Sequence, residues 1–261
     1  MATSTISLSV KENNGEVARH REDVARKVID YFGEHPILPS WRVICLLDDR
    51  DFQDLKSQAG EANQGIHLSL EHAILRARIP QYFWDIIRPY DRTNGKCLSV
   101  FDSVVYLHGS TCETDIGLTL TLAHELRHSF QHSAERRICE ANTMLQLLPE
   151  PFKRNFTVWW DLPIERDARV VAKAAAEAIF GREAVARFLE TQVEAAVTED
   201  DRQDWVFVLN IDTGTSYKFA AETRRLVRVY RSGLKQLQQD LEQQNRSGFP
   251  KIDFDAGSWN L

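Results

Sequence analysis

The chain has 261 residues, 43% of them hydrophobic and 27% charged, a composition that excludes disordered and fibrous classes and suffices for a sizeable core. No apolar run approaches a membrane span, and residues 1–15 hold no apolar segment for a secretory signal, so a cytoplasmic protein without a membrane partner is expected. The net charge of −6 offers no broad basic field for a phosphate backbone, which excludes nucleic acid as the main partner.

In chain order, the first expected element is a helix over residues 16–34, with Val17, Val24, Val28 and Phe32 on one face and Pro36 just beyond. Residues 41–47 form a short apolar run bounded by Pro39 and acidic residues, and read as a strand. Residues 67–79 suit either a helix or a strand. Strand pieces follow at 98–101 and 104–107, punctuated by Gly95 and Gly109. Ser110-x-x-Glu113 has the form of a capping box opening a helix that carries Leu118, Leu122, Leu126 and Phe130. Further helices are expected over 134–148, 163–180 and 182–195, a strand over 205–211, and a last helix over 217–243 with Val227, Tyr230, Leu234, Leu237 and Leu241 at helical spacing. The fold class is α+β: a mainly helical domain with a small sheet packed on the helix near residue 120. No linker or repeat divides the chain; one domain over 1–261 is expected, with helices 16–34 and 217–243 as appendages. Cys45, Cys97, Cys112 and Cys139 include no close-spaced pair, which points to four reduced, mostly buried thiols rather than a thiolate zinc knuckle or a disulfide framework.

The segment that carries chemistry is residues 120–132, where His124-Glu125-Leu126-Arg127-His128 has the form H-E-x-x-H. On a helix, positions i and i+4 stand one above the other, so both imidazoles reach a single ion. Neutral imidazole nitrogen is a preferred zinc ligand. Glu125, one residue on from His124, points beside that ion and is placed to take a proton from a water activated there. Apolar Leu118, Leu122 and Leu126 make the helix at least half buried, and buried histidines require partners.

A catalytic zinc site needs a third protein ligand and an open position. His132 lies eight residues after His124, which on a helix is roughly 80° of rotation and about 12 Å along the axis, too far to share the ion. It reads as a surface position or a lip of the cleft. Glu165 is the better candidate: Pro163 and a capping Asp161 place it in the opening turn of a helix, from which its carboxylate can be delivered across the first helix.

With these pieces, H-E-L-x-H-x-x-Q from His124 to Gln131 and E-x-D-A-x-x-x-A from Glu165 to Ala172, the chain resembles the gluzincin metallopeptidases, among them minimal bacterial members similar to those that cut phage or stress repressors. The resemblance spans about fifty residues and implies a zincin peptidase with one zinc per chain, held by His124, His128 and Glu165, with Glu125 as general base, acting on a protein or peptide. Many gluzincins carry Asp or Asn four residues after the ligand glutamate to support a metal-bound histidine; here that position is Arg169, leaving Asp167, Asp161 or Glu140 for the role. Tyr106, His108, Tyr217 and Arg127 are the candidates for steadying an oxyanion. The resemblance further implies that residues 104–107 form an edge strand that holds the peptide by strand addition.

A rival reading is a non-catalytic zinc-binding or interaction protein on the same scaffold, which would have no use for Glu125. Asp212-Thr-Gly-Thr-Ser216 looks like an aspartic-peptidase loop, but that chemistry needs two carboxylates and only one such loop is present. It reads instead as a turn capping the final helix through Thr215 or Ser216. The adjacent aromatics Trp159 and Trp160 read as core. Substrate preference and oligomeric state have no signal in the sequence.

Overall fold

The computed structural model describes residues 5–11, 15–33, 42–48, 65–69, 101–108, 113–146 and 162–243. Among these are four strands, β1 (Thr5–Lys11), β2 (Arg42–Asp48), β3 (Gly65–Ser69) and β4 (Ser103–His108). The seven helices are α1 (Gly15–Gly33), α2 (Asp115–Ala134), α3 (Arg136–Gln146), α4 (Pro163–Phe180), α5 (Arg182–Ala195), α6 (Glu199–Asn210) and α7 (Phe219–Gln243). The fold is mainly helical α+β with one small sheet, and among the described residues no helix is long and apolar enough to cross a membrane. Residues 70–79 and 98–100, Ser110, Trp159, Trp160, Asp161, Cys97 and Cys112 lie outside the described residues.

The sheet has the order β1-β2-β4-β3. Strands β1, β2 and β4 run parallel, with Leu8 beside Cys45 and Cys45 beside Val105, and β3 closes the sheet antiparallel with His67 opposite Val105. The central strands are buried on both faces, Val43, Cys45, Leu47, Val105 and Leu107 on one and Ile44, Leu46, Val104 and Tyr106 on the other. Parallel strands covered on both sides read as continuous apolar runs for this reason. Residues 104–107 are therefore not at an edge: β4 is paired to β2 and β3, so its backbone groups are committed. The strands with one side left unpaired among the described residues are β1 and β3.

The described chain forms two compact units. In the first, one face of the sheet meets α1 through Val24, Ala25, Val28 and Phe32, α2 through Leu118, Leu122, Ala123, Leu126 and Phe130, and the small residues Ala172, Ala175 and Ala176 of α4. Phe32 stacks on Phe130 with ring centroids 4.8 Å apart, so α1 braces the metal-motif helix directly. In the second unit, α3, residues 163–167 of α4 and α7 gather around Cys139, Leu162, Ile164 and Phe219.

Helix α2 begins four residues later than a Ser110 box implies. Thr114 is its cap, with the Gly117 N–H donating to Thr114 Oγ1 at 3.1 Å. Residues 205–211 are not a strand: 205–210 lie in α6 and Ile211 is its C-cap, and the start of α6 is fixed by Thr198, where the Asp201 N–H donates to Thr198 Oγ1 at 3.1 Å. Val208 is buried in the core and Trp205 and Leu209 pack beside it, which is helical i, i+3, i+4 spacing hidden inside an unbroken apolar run. Gly181, at φ +85°, separates α4 from α5 in a backbone region that only glycine enters without strain. The Asp212 turn is closed by its own carboxylate, which accepts from the Gly214 N–H at 2.9 Å and the Thr215 hydroxyl at 2.8 Å. These two bonds hold its carboxyl below the usual range. The final helix starts only at Phe219, so Thr215 and Ser216 do not cap it. Cys45 and Cys139 are buried thiols, and burial pushes the Cys45 thiol up so that it stays protonated.

Phe32→Ala removes a ring that is 1% exposed from the stack behind α2. It is expected to lower unfolding free energy by about 3–5 kcal/mol in urea titration; a loss below about 1 kcal/mol would contradict the bracing role.

Candidate metal centre

Thirteen of the twenty residues of α2 are buried, among them Glu125, His128, Ser129 and Gln131. A helix submerged on most of its faces cannot leave these groups to water, so each must find a partner inside the protein. His124 and His128, one turn apart, turn toward each other with their Nε2 atoms 3.0 Å apart and their ring planes at 90°. Two nitrogens each about 2.0–2.1 Å from one zinc sit about 3.3–3.4 Å apart at the tetrahedral angle, so the pair already has close to the spacing of two ligands on one ion.

The third member is Glu165, in the first turn of α4 and 6% exposed. The ligand atoms of His124, His128 and Glu165 all lie within 4.8 Å of one another. That limit is wider than a ligand shell by an amount that the rotatable bonds of a glutamate can close. The donor set of two imidazoles and one carboxylate suits zinc and other borderline divalent ions, and the arrangement fits a metal ion held at this point. Glu125 is 8% exposed and adjoins His124 in the chain, a buried carboxyl next to the donor group.

The acceptor that orients His128 is Gln131. His128 Nδ1 lies 2.8 Å from Gln131 Oε1, so the Nδ1–H donates to the amide oxygen and Nε2 keeps its lone pair for the ion. Gln131 itself is 2% exposed. Glu140 instead faces Arg136 at 3.4 Å, Asp161 lies outside the described residues, and Asp167 is buried in the turn after Glu165. Arg169 reaches away along α4, making a two-pronged bond to Asp204 of α6 at 3.0 and 2.7 Å. The position that holds an acid or amide in many gluzincins therefore serves here to tie α4 to α6. The spacing of Gln131, three residues after His128 on the same helix face, was the available signal for its role.

Histidine 67 joins the centre from β3. Its Nε2 lies 3.1 Å from Ser103 Oγ, and Ser103 Oγ is hydrogen-bonded in turn to Ser129 Oγ. This chain of groups ties β3, β4 and α2 together. The His67 ring stacks on His132 at 5.0 Å and stands 6.2 Å from the His128 ring. Burial, followed by the neighbouring His132 and His128, holds its imidazole well below the usual range, so it is neutral at pH 7. His132 is thus a stacking partner in the wall of the centre. Of the residues weighed for an oxyanion, Tyr106 is 0% exposed within the sheet and cannot meet a substrate. Tyr217 lies under the Arg166 guanidinium at 5.4 Å, Arg127 is half-buried, and of His108 only the backbone is described.

No family model matches the chain, and neither comparison with curated proteins nor comparison with solved structures finds a match.

Gln131→Leu leaves the His128 N–H without its acceptor. Zinc affinity, read by competition with a chromophoric chelator, is expected to fall about 10- to 100-fold with the helical signal unchanged; wild-type affinity would show that Gln131 does not orient the ligand.

Proposed function

We propose that this chain is a zinc-dependent peptidase in which His124, His128 and Glu165 hold the ion and Glu125 is the general base. The observation that carries the reading is the convergence of those three ligand atoms within 4.8 Å beside a buried glutamate that adjoins one of them. A metal ion bound there supplies Lewis acidity, lowering the pKa of water toward neutrality and polarising a carbonyl oxygen.

The chain's own residues do the rest. Glu125, shielded from solvent, takes the proton of the attacking water and passes it to the amine as the C–N bond breaks, so that the products are a carboxylic acid and a free amine. Gln131 keeps His128 in the tautomer that leaves Nε2 available. The unpaired side of β3 offers backbone groups to which an extended peptide adds as a further strand. The substrate class is protein or peptide, and the two-histidine, one-glutamate donor set is of the gluzincin kind.

The test is digestion of a denatured protein mixture by zinc-loaded protein, with new termini counted by mass spectrometry. Wild-type protein is expected to generate them, and Glu125→Gln to reduce the rate by about 10²- to 10⁴-fold while retaining its zinc. A variant as active as wild type, or a zinc-loaded wild type that cuts nothing, would overturn the peptidase reading.

A further inference from the structure

Helix α4 opens at Pro163. Leu162, just before it, is apolar, and Pro163 has no N–H to donate. The Arg166 N–H closes the first turn onto Leu162 O at 2.8 Å. The first N–H of the helix, that of Ile164, is met from another element: it donates to Asn142 Oδ1 of α3 at 3.3 Å. Asn142 is 0% exposed. Its Nδ2 donates to Thr223 Oγ1 of α7 at 2.8 Å and to Ile138 O at 3.1 Å. A backbone N–H can only donate and a carbonyl oxygen only accept, so these partners fix which way the amide faces.

One buried amide thus joins α3, α4 and α7 at the residue preceding Glu165, within a cluster formed by Cys139, Leu162, Ile164 and Phe219. We propose that Asn142 is a positioning residue for the metal centre: by capping Ile164 from outside the helix, it sets where the turn carrying Glu165 stands, and with it the reach of the third ligand. The inference rests on the reading of Glu165 as a ligand. Its physical basis is that a site depends on placement at the ångström scale, which a ligand at a helix end holds only if that end is itself held. A cap supplied by α3 makes the position of the turn depend on α3 and, through Thr223, on α7.

The test uses the full chain, zinc as the probe and four variants. Asn142→Leu removes the cap. Asn142→Asp keeps the acceptor, a carboxylate is favoured at a helix N-terminus, and the Thr223 hydroxyl can donate to its second oxygen. Thr223→Val removes the anchor of the amide and leaves its acceptor in place. Glu165→Ala marks the loss of the ligand itself. Zinc affinity is expected to fall about tenfold or more in Asn142→Leu and measurably in Thr223→Val, and to stay within about threefold of wild type in Asn142→Asp. The visible spectrum of the cobalt-loaded protein, which a merely structural residue would not alter, is expected to move toward that of Glu165→Ala in Asn142→Leu and to be restored in Asn142→Asp. Wild-type zinc affinity and cobalt spectrum in a folded Asn142→Leu would overturn the proposal and leave the metal site standing. Should Asn142→Leu fail to fold, Thr223→Val decides: weakened zinc binding upholds the proposal, and wild-type binding overturns it. Zinc binding by Glu165→Ala equal to that of wild type would remove the ligand reading and the proposal with it.

Discussion

Helix α2 must lie beneath a sheet and inside a core while carrying a glutamate, three histidines, a glutamine and two serines. Burying a polar group without a partner costs about 1–3 kcal/mol, and an uncompensated charge costs more. The arrangement around α2 follows from that cost. Gln131 meets His128, Ser103 meets Ser129, His67 meets Ser103, and Glu165 comes to the two imidazoles from α4. These polar groups are met from β3, β4 and α4 and from within α2 itself, and Leu118, Leu122, Leu126 and Phe130 join the apolar core.

That segregation gives the site its rigidity. The apolar side of α2 packs against both the sheet and α1, with Phe32 against Phe130 two residues beyond His128. Close-packed interiors transmit small displacements, so a histidine pair on such a helix is held at fixed spacing. The third ligand has a different support. Glu165 stands at a helix start and not in its middle, and the start is held by a cap from α3. The favourable field of a helix N-terminus for a carboxylate and the Asn142 cap act at the same turn.

Much of the architecture is legible in the residues. The expected boundaries of α4 and α5 coincide with the observed ones because Pro163 starts the first and Gly181, in a conformation suited to glycine, ends it. The fold class follows from the same helical periodicity. Strand β1 is not among the expected elements, although Ile6, Leu8 and Val10 alternate, because a seven-residue edge strand declares itself only through its partner β2. The apolar run at 205–209 misleads because length, not hydrophobicity, separates a buried strand from a helix face, and the decisive Thr198 cap lies seven residues upstream. At the centre, the spacing of His124 and His128 and the placement of Glu165 at a helix start are readable locally. His67 and Asn142 are not, since their roles depend on Ser103, Ile164 and Thr223, which are 36, 22 and 81 residues away. Gln131 stands between these cases, readable from helical spacing once His128 is taken as a ligand.

The central claim is that His124, His128 and Glu165 form one metal site. It is tested most directly by elemental analysis of metal content per chain in wild type, His128→Ala and Glu165→Ala, after equilibration with zinc and removal of the excess. The account predicts about one zinc per wild-type chain, none in His128→Ala and a weakened, partly lost ion in Glu165→Ala. A folded wild-type chain that retains no metal would contradict it, and would leave the facing imidazoles of α2 as a hydrogen-bonded pair in a buried polar network.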